Sequence, residues 1–302
     1  MAGQQDYLEH AFLQGKIIPF KDANISVATN GLQYGIGIFG GIKGYKQDNG
    51  QIGIFRLDEH IERLQRSAKI LRFQYDFDAK KIKDIFIELT KKNAPKGNVY
   101  YRPFIYRSDI ALSPAIKGNY DMTLYMLNIA DYFDKSRGLK VCVSSWTRNN
   151  DNALPPRTKA SGGYVNAALA MHDAVTSGFD AAVMLDDSGH VGEGAVMNIY
   201  MVRDGVIYTP NVTADILEGI TRRTITELAE KLHIPIVERV IDRTELYIAD
   251  EIFFSGTATE LTWVQSIDNV DIRDKAGPVY TKLQEAFDQA VHDKDSPYLT
   301  LV

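Results

Sequence analysis

The 302-residue chain is poor in several things that would have named its chemistry at once. It has a single cysteine, Cys142, so no intramolecular disulfide can form, and a reducing, cytoplasmic setting fits best. Its six histidines are scattered, with no His-x-x-x-His and no Cys-x-x-Cys pair, which predicts no metal site. No apolar run approaches the ~20 residues that a membrane span requires, and the first residues, MAGQQDYLEH, carry no apolar signal core. The net charge is -5 without a basic block, which argues against nucleic acid as a partner. No internal repeat or low-complexity tract is visible.

What remains is an ordinary soluble composition, 45% apolar and 24% charged, on a chain long enough for two domains. KIIPF and IGIFR read as strands, with a turn at Asp48-Asn49-Gly50. From Leu57 the spacing predicts a helix with Leu57, Ile61, Leu64, Ala68 and Leu71 on one face. Asp58 and Glu59 suit its positive end. A second helix carries Ile82, Ile85, Phe86 and Leu89. NVYYRPFIYRSD reads as a strand with Tyr100, Arg102 and Phe104 on one face and Tyr101 and Ile105 on the other. Pro103 predicts a sheet edge or a bulge there. MTLYMLNIA is a further strand. Residues 130–138 are polar, end in glycine, and read as an interdomain linker. Beyond them strands (LKVCVSSW, AAVMLD, IPIVERV, EIFFSG) alternate with helices at 164–177, in GITRRTITELAEKLH and in PVYTKLQEAFDQAVH. A hairpin turns through Asp204-Gly205. The expectation is two domains of α/β type, 1–129 and 139–302.

GIGIFG presents Gly35, Gly37 and Gly40 as a G-x-G-x-x-G. A dinucleotide site needs a helix to begin at these glycines. Here the chain runs on through GIKGYKQDNG to a turn, which fits a glycine-rich strand beside a crowded site. In RTKASGGYVNAALA, Lys159 stands before small residues that would admit a bulky ligand. A lysine nucleophile needs burial or a nearby cation to lose its proton. Spacing alone still favours a structural lysine. Glu193, between two glycines in HVGEGAVMNIY, reads either as a turn acid or as a buried carboxylate for a cationic ring nitrogen, as pyridoxal phosphate requires. Gly219, Ile220 and Thr221 open a helix whose N–H groups and hydroxyl suit a phosphate, or a simple Thr cap. Ser255, Gly256, Thr257, Ala258 and Thr259 follow a buried strand and offer donors to an anion. Arg56 either binds phosphate or ends a strand.

Together these motifs supply a lysine, an acid for a ring nitrogen and three separate phosphate donors. In that order along the chain, LQYGIGIFGGIKGY, FRLDEHIERLQRSAK, YYRPFIY, KASGGYVNAALA, GEGAVMNIY, LEGITRRTI, LYIADEIFFSGTATEL and GPVYTKLQ resemble the class IV (fold type IV) pyridoxal-phosphate aminotransferases. The likeness is greatest to the branched-chain amino acid aminotransferases and spans nearly the whole chain. It implies a smaller N-terminal α/β domain and a larger C-terminal α/β pseudo-barrel, with the site built at a homodimer interface or in a multiple of dimers. The resemblance implies that Lys159 forms the Schiff base with pyridoxal 5'-phosphate and shuttles the proton. Glu193 pairs with the ring nitrogen, Tyr164 with the phenolic oxygen, and Leu217 packs on a ring face. Arg56, Ile220, Thr221 and Thr257 hold the phosphate. Thr257 and Ala258, helped by Tyr100, bind the α-carboxylate, Tyr34 and Phe39 line the side-chain pocket, and Arg102 meets the distal carboxylate of glutamate or 2-oxoglutarate. The substrates are then small amino and keto acids.

The substrate region departs from the family pattern. Gly40-Gly41 follow Phe39 where Glu-Gly is common, and RSDIALSPAIKG replaces a Gly-Met-Gly-Val-like loop. Tyr132, a pocket position, lies in an unusual linker. Arg102-Pro103-Phe104 lacks the histidine of the Arg-x-His pair that D-amino acid aminotransferases use. That absence argues against the D-amino acid branch; the alternative to a branched-chain enzyme is a class IV transaminase of shifted specificity, an (R)-selective amine transaminase, which the altered pocket motifs favour, or a D-amino acid aminotransferase.

Overall fold

The computed structural model describes residues 6–130, 133, 136–293 and 295–302. Tyr132 and most of the first half of the expected linker lie outside the described residues. In chain order the first elements are β1 (His10–Leu13), β2 (Lys16–Pro19), α1 (Asn30–Gln33), β3 (Gly37–Phe39), β4 (Ile42–Lys46), β5 (Ile52–Phe55), α2 (Leu57–Ile70), α3 (Ala79–Asn93), β6 (Val99–Arg107) and β7 (Tyr120–Asn128). They are followed by β8 (Leu139–Val143), α4 (Tyr164–Thr176), β9 (Ala181–Leu185), β10 (Val191–Gly194), β11 (Asn198–Arg203), β12 (Val206–Thr209) and α5 (Ile220–Lys231). The last are β13 (Ile236–Glu238), β14 (Glu251–Gly256), β15 (Glu260–Ile267), β16 (Val270–Asp271), α6 (Pro278–His292) and β17 (Leu299–Leu301).

The chain divides into two compact units. The first comprises residues 1–130, 158–162 and 290–302, and the second 131–157 and 163–289. The sequence reading puts 139–302 in one domain, whereas 158–162 and the C-terminus pack with the first unit. The reason is strand pairing: Ala160 bridges to Ile38, and β17 lies antiparallel on β5.

In the first unit the strands order as β17-β5-β4-β6-β7-β1-β2, with β3 also paired to β6. The helical periodicity holds: α2 buries Leu57, Ile61, Leu64 and Ala68, and α3 buries Ile82, Ile85, Phe86 and Leu89. Both faces join one apolar core with Ile38, Ile54, Tyr101 and Ile105. The alternation in β6 also holds, with Tyr101 and Ile105 fully buried. Pro103 corrects an expectation, for it sits in a central strand rather than at an edge or bulge. On one side β6 pairs continuously with β7, Pro103 opposite Leu124. On the other, β4 ends its pairing at Tyr101 and β3 begins at Phe104. The Pro103 carbonyl accepts from the Gly40 N–H at 2.9 Å. A strand residue aims its C=O and its nitrogen to the same side. The missing N–H therefore faces Gly40, and the loss of that one return bond leaves the gap between β4 and β3.

The second unit holds a nine-stranded sheet, β10-β9-β8-β15-β14-β11-β12-β13, with β16 on β15. The β8–β9, β8–β15 and β12–β13 pairs are parallel and the others antiparallel. Its core gathers Val141, Val183, Val191, Ile199, Phe254 and Val264. The small face of α4, Ala167, Ala170 and Ala174, lies against Ala182, Met184 and Ala195. The architecture is mixed α/β, as the alternation of elements predicts.

Candidate active site

The sequence-derived residues fall into two groups, one in each unit. In the first unit, Lys159 precedes α4 on a non-helical segment and takes a left-handed φ of 49°. The segment is fixed to β3: the Phe39 N–H donates to the Lys159 carbonyl at 3.2 Å. The Ser161 hydroxyl donates to the carbonyls of Gly35 (3.0 Å) and Gly37 (3.3 Å). Gly35, with φ of 64°, lets the two backbones meet, since an added Cβ would lie 2.9 Å from the Gly162 Cα. This close approach explains the glycine at position 35, and no helix begins at GIGIFG, so the dinucleotide alternative falls.

Phe39 is the hub of this group. The Lys159 Nζ lies 5.2 Å from its ring centroid and the Arg102 guanidinium carbon 4.6 Å. Arg102 also donates to the Tyr100 hydroxyl at 3.3 Å. Lys159 and Arg102 thus both lie against the Phe39 ring, and Tyr100 joins the group through Arg102. Tyr34 closes α1 and is 41% exposed. Residues 107–118 are tied to α1: Thr29 bridges to Ile110, and the Asn30 amide donates to the Ser113 carbonyl at 2.6 Å. Asp109 secures the loop base through Arg107 (3.0 Å) and Asn119.

Arg56 stands at the β5–α2 corner, 2% exposed, and its guanidinium pairs with Glu59 at 3.0 Å. One turn on, His60 is buried and its N–H returns to the Arg56 carbonyl. Burial first, then the charges of Arg63, Lys159 and Arg56, hold the imidazole pKa well below its ordinary value, so it is neutral at physiological pH. The sequence reading did not single out His60, although it sits in the quoted FRLDEHIERL.

In the second unit, Glu193 sits on β10 beside a register shift, 3% exposed. Both of its carboxylate oxygens accept hydrogen bonds. The Asn198 amide donates to Oε2 at 2.9 Å, the Leu217 N–H to Oε1 at 3.1 Å, and the Arg148 guanidinium also to Oε1. The same Asn198 amide donates to the Leu217 carbonyl at 2.9 Å. Three donors, one of them a charged guanidinium, converge on this buried acid. Arg148 and Asn198 are functional candidates that the sequence reading missed. Tyr164 opens α4, and the preceding Gly163 carbonyl accepts from Asn149 at 3.2 Å.

The helix α5 begins after Gly219 without a side-chain cap. Its first N–H groups, on Ile220 and Thr221, therefore keep the partial positive charge of a helix start. Gly219 is required there, since an added Cβ would lie 2.2 Å from the Asn198 Oδ1. Thr257 and Ala258 form the turn joining β14 to β15, closed by the Gly256–Glu260 pair. Next to them the Thr259 hydroxyl is buried and has no hydrogen-bond partner among the described residues. An orphaned hydroxyl, an uncapped helix start and a buried carboxylate met by three donors are the set of groups that a phosphorylated, ring-nitrogen cofactor fits.

Comparison with known proteins agrees with this chemistry. The amino-transferase class IV family matches residues 37–267. The chain belongs to the class IV amino-transferases. A probable branched-chain-amino-acid aminotransferase of Synechocystis is 41% identical over 295 residues, covering 97% of this chain and 95% of that protein. The branched-chain aminotransferase of Thermoproteus uzoniensis, solved with norvaline, superposes with a TM-score of 0.93 at 35% identity, covering 98% of this chain and 99% of that one. The branched-chain amino acid aminotransferase of Thermobaculum terrenum, solved in its PLP-form, gives 0.93 at 33% identity, with 98% and 99% covered. As a class IV amino-transferase the chain is an enzyme of mixed α/β fold, as the motifs imply.

Within this class IV amino-transferase the departures noted in the sequence have local causes. An added Cβ at Gly40 would lie 2.7 Å from the Pro103 Cγ, so the proline ring occupies the space of a side chain at position 40. The replaced loop is anchored by its own Arg107–Asp109 pair.

Proposed function

We propose that this class IV amino-transferase moves the amino group between leucine, isoleucine or valine and 2-oxoglutarate, using pyridoxal 5'-phosphate in a ping-pong cycle. The observation that carries the proposal is the Phe39 ring with Lys159 on it at 5.2 Å and Arg102 at 4.6 Å. An apolar surface beside a nucleophilic amine accepts an aliphatic side chain. One arginine at its rim accepts a second carboxylate. Ping-pong transfer needs both in one pocket, because donor and acceptor use it in turn.

When bound, the cofactor supplies an aldehyde to take the amino group and a ring that draws electrons from the substrate α-carbon. Lys159 would hold the cofactor at its aldehyde carbon and, once substrate has taken its place, its Nζ would move the proton at the substrate α-carbon. Glu193, which accepts from Arg148, Asn198 and the Leu217 N–H, would hold the proton at the ring nitrogen. Tyr164 would donate to the phenolic oxygen, and Leu217 would pack on the ring. Arg56, the Ile220 and Thr221 N–H groups, the Thr221 hydroxyl and Thr257 would hold the phosphate. Tyr100, Thr257 and Ala258 would hold the α-carboxylate. Tyr34 and Phe39 line the side-chain pocket, and Arg102 takes the γ-carboxylate of the acceptor in a bidentate, directional contact.

We extend the proposal to a homodimer in the cytoplasm. Val27 (78% exposed), Leu32, Ile110 and Leu112 lie on α1 and the adjoining loops, an apolar cluster suited to a second copy of the chain. The single cysteine fits a reducing compartment. Among the described residues no helix is long and apolar enough to cross a membrane. A donor panel tests the function. L-Leucine, D-alanine, (R)-1-phenylethylamine and L-glutamate are each mixed with the holoenzyme, and the cofactor spectrum is followed. Conversion by leucine and glutamate supports the proposal. Conversion by D-alanine or the amine alone refutes it.

A further inference from the structure

The C-terminal six residues, PYLTLV, play no part in the site derived above, yet they end against it. β17 pairs Leu299 with Phe55, Thr300 with Ile54 and Leu301 with Gly53. Val302 and Ile52 exchange both main-chain bonds at 3.0 Å. This short ladder delivers Tyr298 to the corner where β5 becomes α2, and Arg56 occupies that corner. Arg56 has φ 47° and ψ 44°, the left-handed region that non-glycine residues enter at a cost. Such a conformation persists only where the surroundings fix it. Here the Arg56 N–H donates to the Tyr298 carbonyl at 2.7 Å. The Tyr298 ring lies under the guanidinium, 4.1 Å from its carbon, and packs edge-on against Phe55 at 5.9 Å. Glu59 holds the guanidinium from another direction at 3.0 Å.

The main-chain bond fixes where Arg56 starts, and the ring fixes the plane in which its planar fork lies. We infer that Tyr298 is a positioning residue for a phosphate subsite: the C-terminal strand clamps Arg56 so that its donors are set in advance for the cofactor phosphate. The inference rests on the reading of Arg56 as a phosphate ligand. A pre-set fork loses less freedom on binding an anion than a mobile one. The clamp therefore acts on the phosphate and not on the ring or aldehyde of the cofactor.

The test compares pyridoxal phosphate with pyridoxal, which lacks only the phosphate. Affinities of both for the full-length apoenzyme are measured by fluorescence quenching for the native protein, Arg56→Ala, Tyr298→Ala, Tyr298→Leu and Tyr298→Phe. Tyr298→Ala and Tyr298→Leu are expected to weaken pyridoxal phosphate about tenfold and to leave pyridoxal within about twofold. Tyr298→Phe keeps the aromatic face and restores the native value. Tyr298→Leu keeps apolar bulk, so it serves if the alanine variant does not fold. Equal weakening of both ligands, or no weakening of either, overturns the clamp. If Arg56→Ala itself fails to distinguish the two ligands, the phosphate reading of Arg56 falls and the inference with it. If Arg56→Ala distinguishes them and the Tyr298 variants do not, only the inference falls.

Discussion

The Cβ that Gly41 lacks would lie 1.9 Å from the Tyr100 hydroxyl oxygen. That hydroxyl accepts from Arg102, so Gly41 fixes the two side chains proposed to hold the substrate's two carboxylates. Gly41→Ala must push Tyr100 aside. The expected result is a loss of about tenfold or more in kcat/KM for both leucine and 2-oxoglutarate, with the circular dichroism of a folded protein. Native kinetics in this variant would show that Tyr100 has no place in substrate binding.

Arg102 is assigned to the distal carboxylate, which only glutamate and 2-oxoglutarate carry. Arg102→Ala should raise KM for 2-oxoglutarate by about ten- to a hundredfold, the worth of a charge-assisted hydrogen bond. KM for leucine should move far less. Steady-state kinetics with each substrate varied in turn makes the comparison, and equal effects on both remove the role.

Much of this was legible in the sequence, and the exceptions share a cause. The α2 and α3 faces could be read because 3.6-residue periodicity is local, and the two faces of β6 because alternation is local. Pro103 misled because its true setting depends on β3 and β4 sharing one side of β6, which pairing reveals and spacing does not. The strand β17 is three residues long and shows no pattern of its own; it forms because β5 offers an open edge. In the site, Lys159 and Glu193 were marked by neighbouring glycines. Arg148 was not marked, since it reaches Glu193 across 45 residues of sequence from an unremarkable loop. Asn198 lay in the quoted GEGAVMNIY, but its two bonds, to Glu193 and Leu217, need the folded turn.

The Arg148–Glu193 pair yields its own prediction. Glu193→Gln removes the carboxylate proposed to hold the ring-nitrogen proton, and turnover should fall by about a hundredfold or more. Arg148→Gln keeps the acid but removes its charged donor, so turnover should fall by about tenfold or more. Steady-state kcat with leucine, measured beside the native enzyme, reads that loss. A native kcat in Arg148→Gln would show that Arg148 does not govern Glu193.

Glu245 gives a stability prediction away from the site. Arg239 holds it at 2.6 and 2.8 Å, with help from the Asp242 N–H and Arg203. Hydrogen bonding to Arg239 lowers its pKa from 4.5 to about 2. Unfolding therefore takes up a proton as the pH falls through that window, and the stabilisation present above 4.5 is lost towards 2. The pair is partly exposed, so Glu245→Gln should cost only about 1 kcal/mol at neutral pH. Urea titrations should show the gap between native and variant closing as the pH drops from 5 to about 3. A gap that stays constant with pH would deny Glu245 its ionised, clamped state.

The central claim is that Lys159 and its surroundings run both halves of one transamination. The most direct measurement is the absorbance of purified holoenzyme through a single cycle, beside Lys159→Ala. The account predicts that L-leucine removes the visible band of the native cofactor and that 2-oxoglutarate restores it, while the variant does neither. A native band that leucine leaves unchanged, or a Lys159→Ala enzyme that completes the cycle at the native rate, would contradict it.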